Sequence, residues 1–215
     1  MTIKLGDKMI IYDFFAGTGS ATKAFEDAGH KVIKVELDPL FEADERDILS
    51  LTANELIEKY GRPDFIWASP PCTSFSVASI GRHWNADKTP KTQGAELGIK
   101  LVSKTLELIN ELNPVIGWLM ENPRGMLRKQ PIVSHLPRRT VTYCQYGDFR
   151  MKPTDIWGYL NGWVSKPTCK NGDKCHQAAP RGSRTGTQGI NGAKDRSVIP
   201  YALSKEIYES TLAIA

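Results

Sequence analysis

An apolar run that drives into two prolines constrains this chain more than any other stretch: Asp64-Phe65-Ile66-Trp67-Ala68-Ser69-Pro70-Pro71-Cys72. Proline cannot donate to a sheet ladder and pushes its predecessor out of helical geometry, so a strand must stop there. Cys72 is thereby delivered to the carboxyl end of a sheet, the edge at which open α/β proteins keep their ligands. A thiol at such a place is either a nucleophile or a buried structural cysteine beside a turn, and its surroundings decide which.

Those surroundings begin with Met9 to Phe15, a buried strand that runs into Ala16-Gly17-Thr18-Gly19-Ser20 and a helix over 21–28 closed by Gly29. Strand, glycine-rich turn and helix form the nucleotide-binding arrangement, in which glycines admit close backbone approach and the helix start offers free amides. A second strand over 31–37 carries Glu36 and Asp38 at the point where an acid commonly meets ribose hydroxyls. A helix from Thr52 to Tyr60 opens on the capping box Thr52-x-x-Glu55. Residues 77–95 read as a long functional loop, a lid over the cleft, and the apolar spacing of 96–112 predicts a core helix. Val115 to Met120 is a further buried strand that ends at Glu121-Asn122-Pro123, again a polar group where proline stops a strand. Residues 139–146 and 155–160 read as a hairpin around Gly147, and 204–213 as a closing helix. Strands alternating with helices predict an α/β fold with a doubly wound, mostly parallel sheet.

The net charge of +4 conceals an asymmetry. Residues 26–64 carry eleven acids against five bases, whereas 122–152 carry seven bases against one acid and 161–196 seven against two. Either a polyanion docks on the second half, or these are two solvated faces of opposite sign. No apolar run reaches membrane-span length and the N-terminus has no signal-peptide pattern. Four cysteines at irregular positions make no disulfide framework, so a reducing cytoplasm is expected; the expected state is a monomer.

Several motifs in order resemble the C5-cytosine DNA methyltransferase family, over about residues 9–158 and 196–210. Asp13-Phe14-Phe15-Ala16-Gly17-Thr18-Gly19 is similar to its loop for S-adenosylmethionine (SAM), and Ser69-Pro70-Pro71-Cys72-Thr73-Ser74-Phe75-Ser76 to its Pro-Pro-Cys motif. The resemblance implies a Rossmann-like SAM-dependent fold over 1–160 and 196–215, with 161–195 as a small, irregular, basic target-recognition region. It implies SAM contacts from Asp13, Phe15, Ala16, Gly17, Thr18, Gly19, Glu36, Asp47, Ile48, Pro70 and Ser197. Cys72 would be the nucleophile and Glu121 the acid on the target cytosine. Ser69, Pro71, Ser74, Phe75, Ser76 and Asn122 would shape the base site, and Arg181 and Arg184 would meet DNA phosphates. Such an enzyme must extrude its base from the duplex. The chemistry suits the residues: a thiolate added to C6 turns the ring into an enamine nucleophilic at C5, and a protonated carboxyl on N3 eases the addition.

The chain departs from the family's pattern in three places. After Tyr146-Gly147 the usual pair of arginines is replaced by Lys152 and Thr154, leaving Arg150 or Lys152 to hold the base carbonyl. Ser197 stands where an asparagine is usual, and the recognition region is short. Cys72 followed by Glu121-Asn122 argues against exocyclic amino methylation, which uses an aromatic ring at the cysteine position. An RNA substrate, an altered donor, or a catalytically silent module remain the other readings. Cys169-x5-Cys175-His176, with Cys144, would suit a structural zinc; against that stand free thiols in a loop, since zinc ligands usually come in tighter pairs, and no metal is expected at the catalytic centre. Trp163 reads as core, and Trp84 as either core or a base-stacking ring.

Overall fold

The computed structural model describes residues 8–178 and 192–213. Its sheet contains β1 (Ile10–Phe14), β2 (Lys31–Val35), β3 (Phe65–Ala68), β4 (Gly117–Pro123), β5 (Arg138–Thr142) and β6 (Pro153–Leu160), in the order β2-β1-β3-β4-β6-β5. The first four strands pair in parallel, and β6 runs antiparallel to both β4 and β5. The doubly wound, mostly parallel sheet expected from the alternating elements is therefore present, with an antiparallel hairpin at one edge.

Residues of β1 and β3 alternate between two cores, as the pleat requires. Tyr12, Phe14, Ile66 and Ala68 pack on the face covered by α2 (Ala53–Tyr60) and α4 (Gln93–Leu112). Ile11, Phe65 and Trp67 pack on the face covered by α1 (Lys23–Asp27) and α7 (Tyr201–Leu212). Both faces being covered is why these strands read as continuous apolar runs. The capping box at α2 is formed in full: Thr52 accepts from the Glu55 amide, and Glu55 reaches back to the Thr52 amide.

Several boundaries differ from the expectation. The helix after the glycine turn starts at Lys23, because residues 16–22 are spent on the loop. α4 begins at Gln93, where Thr92 accepts from the Ala95 amide as its cap. The strand expected over 139–146 stops at Thr142, and a 3-10 turn over Tyr143–Tyr146 ends at Gly147 with φ of +85°. The stretch expected as an irregular lid is partly helical, through a 3-10 turn at Val77–Ser79 and α3 (Ile80–His83), and a bridge joins Trp84 to Pro90. A four-residue helix, α5 (Pro131–Ser134), follows β4, and α6 (Ala193–Ser197) was not foreseen. Trp163 is buried as expected, its indole donating to Glu206 at 2.9 Å.

Candidate active site

β3 ends at Ala68, level with Met120 of β4, so Ser69 leaves the sheet beside Glu121, while β4 runs on to Pro123 with Glu121 still paired to Ile156 of β6. The Pro-Pro turn is then fastened from two directions. The Ser69 amide donates to the Phe14 carbonyl at 2.9 Å, and the buried Asn122 side chain donates to the Pro70 carbonyl at 2.8 Å. Beyond Cys72 the amides of Phe75 and Ser76 both donate to its carbonyl at 3.0 Å. Phe75 stacks on Trp84 with 5.6 Å between ring centroids, and the Trp84 indole donates to the Ser74 carbonyl. The Met126 amide donates to the Phe75 carbonyl at 2.7 Å. That approach needs glycine beforehand, since a Cβ on Gly125 would lie 2.1 Å from the same oxygen.

Cys72 and Glu121 line one cleft of about 1480 Å³, and Lys152 reaches it from the start of β6. Glu121 is buried and accepts from the Tyr143 hydroxyl at 3.2 Å. Burial holds its carboxyl above the usual range, opposed by the Lys152 ammonium. Burial also pushes the Cys72 thiol up, the Glu121 charge adds to this, and Lys152 pulls it down. Lys152 itself is lowered by burial and held up by Glu121 and Cys72. Its ammonium donates to the Arg196 carbonyl at 2.9 Å and lies 4.5 Å from the Tyr143 ring centre. A thiol, an acid and an ammonium thus face one solvent-open space, each shifted by the others.

The other end of the cleft is the glycine loop. Phe15, Gly17 and Gly19 all have positive φ, at 62°, 50° and 70°. The Gly17 amide donates to Glu36 at 2.8 Å and the Asp38 amide to its other oxygen at 2.9 Å, which fixes that carboxylate at the mouth. Asp47 accepts from the Leu49 amide, and Ile48 is buried beside it. Phe15, Ala16, Gly17, Thr18, Glu36, Asp47, Ile48, Pro70 and Ser197 all line the cleft. The donor set fits SAM: a fixed carboxylate for ribose hydroxyls, an aliphatic side chain and a second acid for an adenine edge, and a glycine whose missing side chain leaves the mouth open.

Some expected contacts lie behind the wall instead. Asp13 is fully buried and accepts from the Thr22 hydroxyl at 2.6 Å, because β1 turns its side chain to the face opposite Phe14. Gly19 shapes the turn by donating to the Ala16 carbonyl, without reaching the cleft. Ser74 and Phe75 pack into the core under the Cys72 turn, and Asn122 braces Pro70. Between the two candidates for the base carbonyl, Lys152 lines the cleft and Arg150 does not. Arg150 is buried, ion-paired with Asp148 and aimed at the carbonyls of Asp195, Arg196 and Val198. Ser69, Pro71 and Ser76 do line the cleft. Arg181 and Arg184 lie outside the described residues. Trp84 is buried, which settles it as core.

Several lining residues carry little signal in the sequence. Arg46 donates to the carbonyls of Glu36, Asp38 and Phe41 at 3.2, 3.2 and 3.1 Å, tying down the rim after β2. Leu37 and Leu40 stand exposed on that rim, where an apolar pair beside Asp38-Pro39 was the available signal. Lys194 and Arg196 close the far side from α6. Tyr143 was hidden inside a stretch read as strand. Away from the cleft, Cys144, Cys169, Cys175 and His176 come together.

Comparison with known proteins adds three observations. The sequence profile of the family described as C-5 cytosine-specific DNA methylase matches residues 9–134. A protein of Frog virus 3 (isolate Goorha), described as a probable DNA (cytosine-5)-methyltransferase, is 32% identical over 173 residues, 78% of each chain. Among solved structures, the Entamoeba histolytica methyltransferase EhMeth superimposes with a TM-score of 0.53 at 12% identity over 76% of this chain. The S. pombe Dnmt2 methyltransferase does so with 0.51 at 12% identity over 74%. The chain spans 57% and 52% of the lengths of those two structures, and the likeness shows the shared fold.

Proposed function

Since the chain belongs to the C-5 cytosine-specific DNA methylase family and is a SAM-dependent methyltransferase, we propose that it methylates C5 of an extruded DNA cytosine through a covalent adduct on Cys72. The observation that carries this reading is that Cys72 and Glu121 open on one cleft from neighbouring strands, with the Lys152 charge acting on both.

SAM, when bound, supplies an electrophilic methyl group. Phe15, Gly17, Glu36, Asp47, Ile48, Pro70 and Ser197 would hold it. On the base side, Glu121 as the neutral acid donates to ring N3 and draws electron density from C6. The Cys72 thiolate adds to C6, the C5–C6 double bond opens, and C5 becomes nucleophilic. After C5 has taken the methyl group, loss of its proton restores the double bond and expels the thiolate. Lys152 favours the thiolate and is the residue we assign to the base carbonyl. Tyr143 is a positioning residue, fixing the Glu121 carboxyl through its hydroxyl. Residues 161–195, including Arg181 and Arg184, are inferred to form the target-recognition region. The reading also takes the protein as a monomer in a reducing cytoplasm, where its four cysteines would stay thiols. No helix among the described residues is long and apolar enough to cross a membrane.

Incubation with methyl-labelled SAM and DNA tests the proposal. Wild type should place label on cytosine C5, and Cys72→Ser should place none. Duplex DNA carrying 5-fluorocytosine should trap a covalent complex, because fluorine cannot leave as a proton does. Label on an amino nitrogen, or no adduct with SAM bound, would reject the mechanism; label in RNA alone would move the substrate and keep the chemistry.

A further inference from the structure

The geometry points to a structural zinc site made by Cys144, Cys169, Cys175 and His176, outside the lining of the catalytic cleft. Their ligand atoms all lie within 4.8 Å of one another, and none of the four residues lines the cleft. Zinc takes thiolates at about 2.3 Å and imidazole nitrogen at about 2.0–2.1 Å in a tetrahedron, so its ligand edges run to about 3.8 Å between sulfurs and about 3.6 Å from sulfur to nitrogen. The Sγ atoms of Cys175 and Cys144 are 3.7 Å apart. The His176 Nδ1 is 3.6 Å from the Cys169 Sγ and 3.5 Å from the Cys175 Sγ. The fourth measured edge, Cys144 to Cys169 at 3.1 Å, is tighter, yet well beyond the ~2.05 Å of a disulfide. Three sulfurs and one nitrogen at these separations form the Cys3His set of a closed structural site, with no position left for water or substrate.

The local chain is built to present these atoms. Gly172, with φ of +95°, and the paired Lys170–Asp173 bonds fold residues 170–173 into a turn that brings Cys169 and Cys175 to the same side. The Cys169 amide donates to the Thr142 hydroxyl at 3.2 Å, and the Gln145 side-chain amide donates to the Cys175 sulfur at 3.5 Å, an outer layer that orients two ligands. Cys144 comes from the 3-10 turn after β5, so one ion would tie the end of the hairpin to a segment 25 to 32 residues further on. Binding releases three thiol protons and leaves a net charge of −1 on the centre, beside Lys166, Lys170 and Lys174. With zinc on Nδ1 the ring proton moves to Nε2. The Gly172 amide, now 3.3 Å from that nitrogen, then turns to solvent, which its exposed loop permits. The purpose is mechanical. The segment from 161 to 178 contains no strand or helix, yet leads into the basic residues Arg181 and Arg184. Beyond Trp163, which is buried at its start, a metal knot supplies this stretch with a second anchor.

Metal analysis of the full chain, purified in reducing buffer without chelator and then reconstituted with zinc chloride, should give about one zinc per chain. Replacement by cobalt(II) should give intense tetrahedral d–d absorption with thiolate-to-cobalt charge transfer. Cys175→Ala and His176→Ala, both at solvent-accessible positions, should each lose at least about tenfold in competition against a chromophoric chelator, while Cys72→Ala keeps the metal. Circular dichroism and thermal unfolding of each variant show whether it is folded. A folded, reduced protein that takes up no zinc, a weak octahedral cobalt spectrum, or undiminished zinc in Cys175→Ala would each overturn the assignment. A Cys144–Cys169 disulfide that persists in place of metal after reduction and zinc addition would do the same.

Discussion

Asp13 offers a test of how this site is supported, because burial has shifted it far from an ordinary aspartate. Its side chain is fully buried, one oxygen accepts from Thr22, and the other has no hydrogen-bond partner among the described residues. Desolvation raises its pKa from 3.8 to about 7, against the opposing effects of the Thr22 hydroxyl and Lys34. The folded protein therefore holds this proton between the two values, where the unfolded chain releases it. Stability from this residue is complete below pH 3.8 and falls as pH climbs through about 7. Three units at about 1.36 kcal/mol each make the whole effect roughly 4 kcal/mol, of which about 2.5 kcal/mol falls between pH ~5 and pH ~8. Asp13→Asn keeps the shape and still accepts from Thr22, but cannot ionise. Urea unfolding across that pH range should show wild type losing about 2–3 kcal/mol more than the variant. A constant offset between the two proteins is immaterial, since the slope difference is the measurement. Parallel curves would refute the claim that a neutral Asp13 supports the loop.

Three further changes separate the cleft from its scaffold. Lys152→Met should lower turnover by about tenfold or more and move the pH midpoint for Cys72 alkylation by iodoacetamide further upward, because it removes the charge that favours the thiolate; an unmoved midpoint would contradict the assignment. Arg150→Met breaks a buried pair with Asp148 and should cost about 3–5 kcal/mol in chemical denaturation. Its effect on the remaining folded enzyme should be small, and loss of activity with intact stability would restore Arg150 to the site. Gly125→Ala would drive a methyl onto the Phe75 carbonyl and should displace the Cys72 turn, seen as a stability loss of roughly 2 kcal/mol or more together with loss of 5-fluorocytosine adduct.

The placement of Cys72 was legible in the sequence because Pro70-Pro71 stops β3 just before it. Pro123 does close β4, but the strand expected to end at Met120 runs through Glu121 and Asn122, which pair with β6. The choice between Arg150 and Lys152 was not legible. It rests on a turn in which Lys152 takes φ of +29° immediately before β6, a conformation that residue type does not announce. Asp13 looked like a cofactor ligand by position, although counting two along β1 from Ile11 already assigns it to the opposite face from Phe14. The tyrosine holding Glu121 was missed because 139–146 has strand composition throughout, and only the packing of Tyr143 and Tyr146 into the core curls the chain into a 3-10 turn after Thr142. Cys144, Cys169, Cys175 and His176 are legible as candidate ligands by residue type, although spaced more widely than zinc ligands usually are; the Gly172 turn that makes them neighbours is not.

The cofactor end of the cleft is completed very late in the chain. The Ile199 amide donates to Ser20, and the Ala24 amide to Ser204, bonds that span 179 and 180 residues. During synthesis, then, the glycine loop emerges first, and the wall formed by Lys194, Arg196, Ser197 and Ile199 joins it only after nearly the whole chain has been made. A chain ended before residue 194 would lack both that wall and the brace on Ser20.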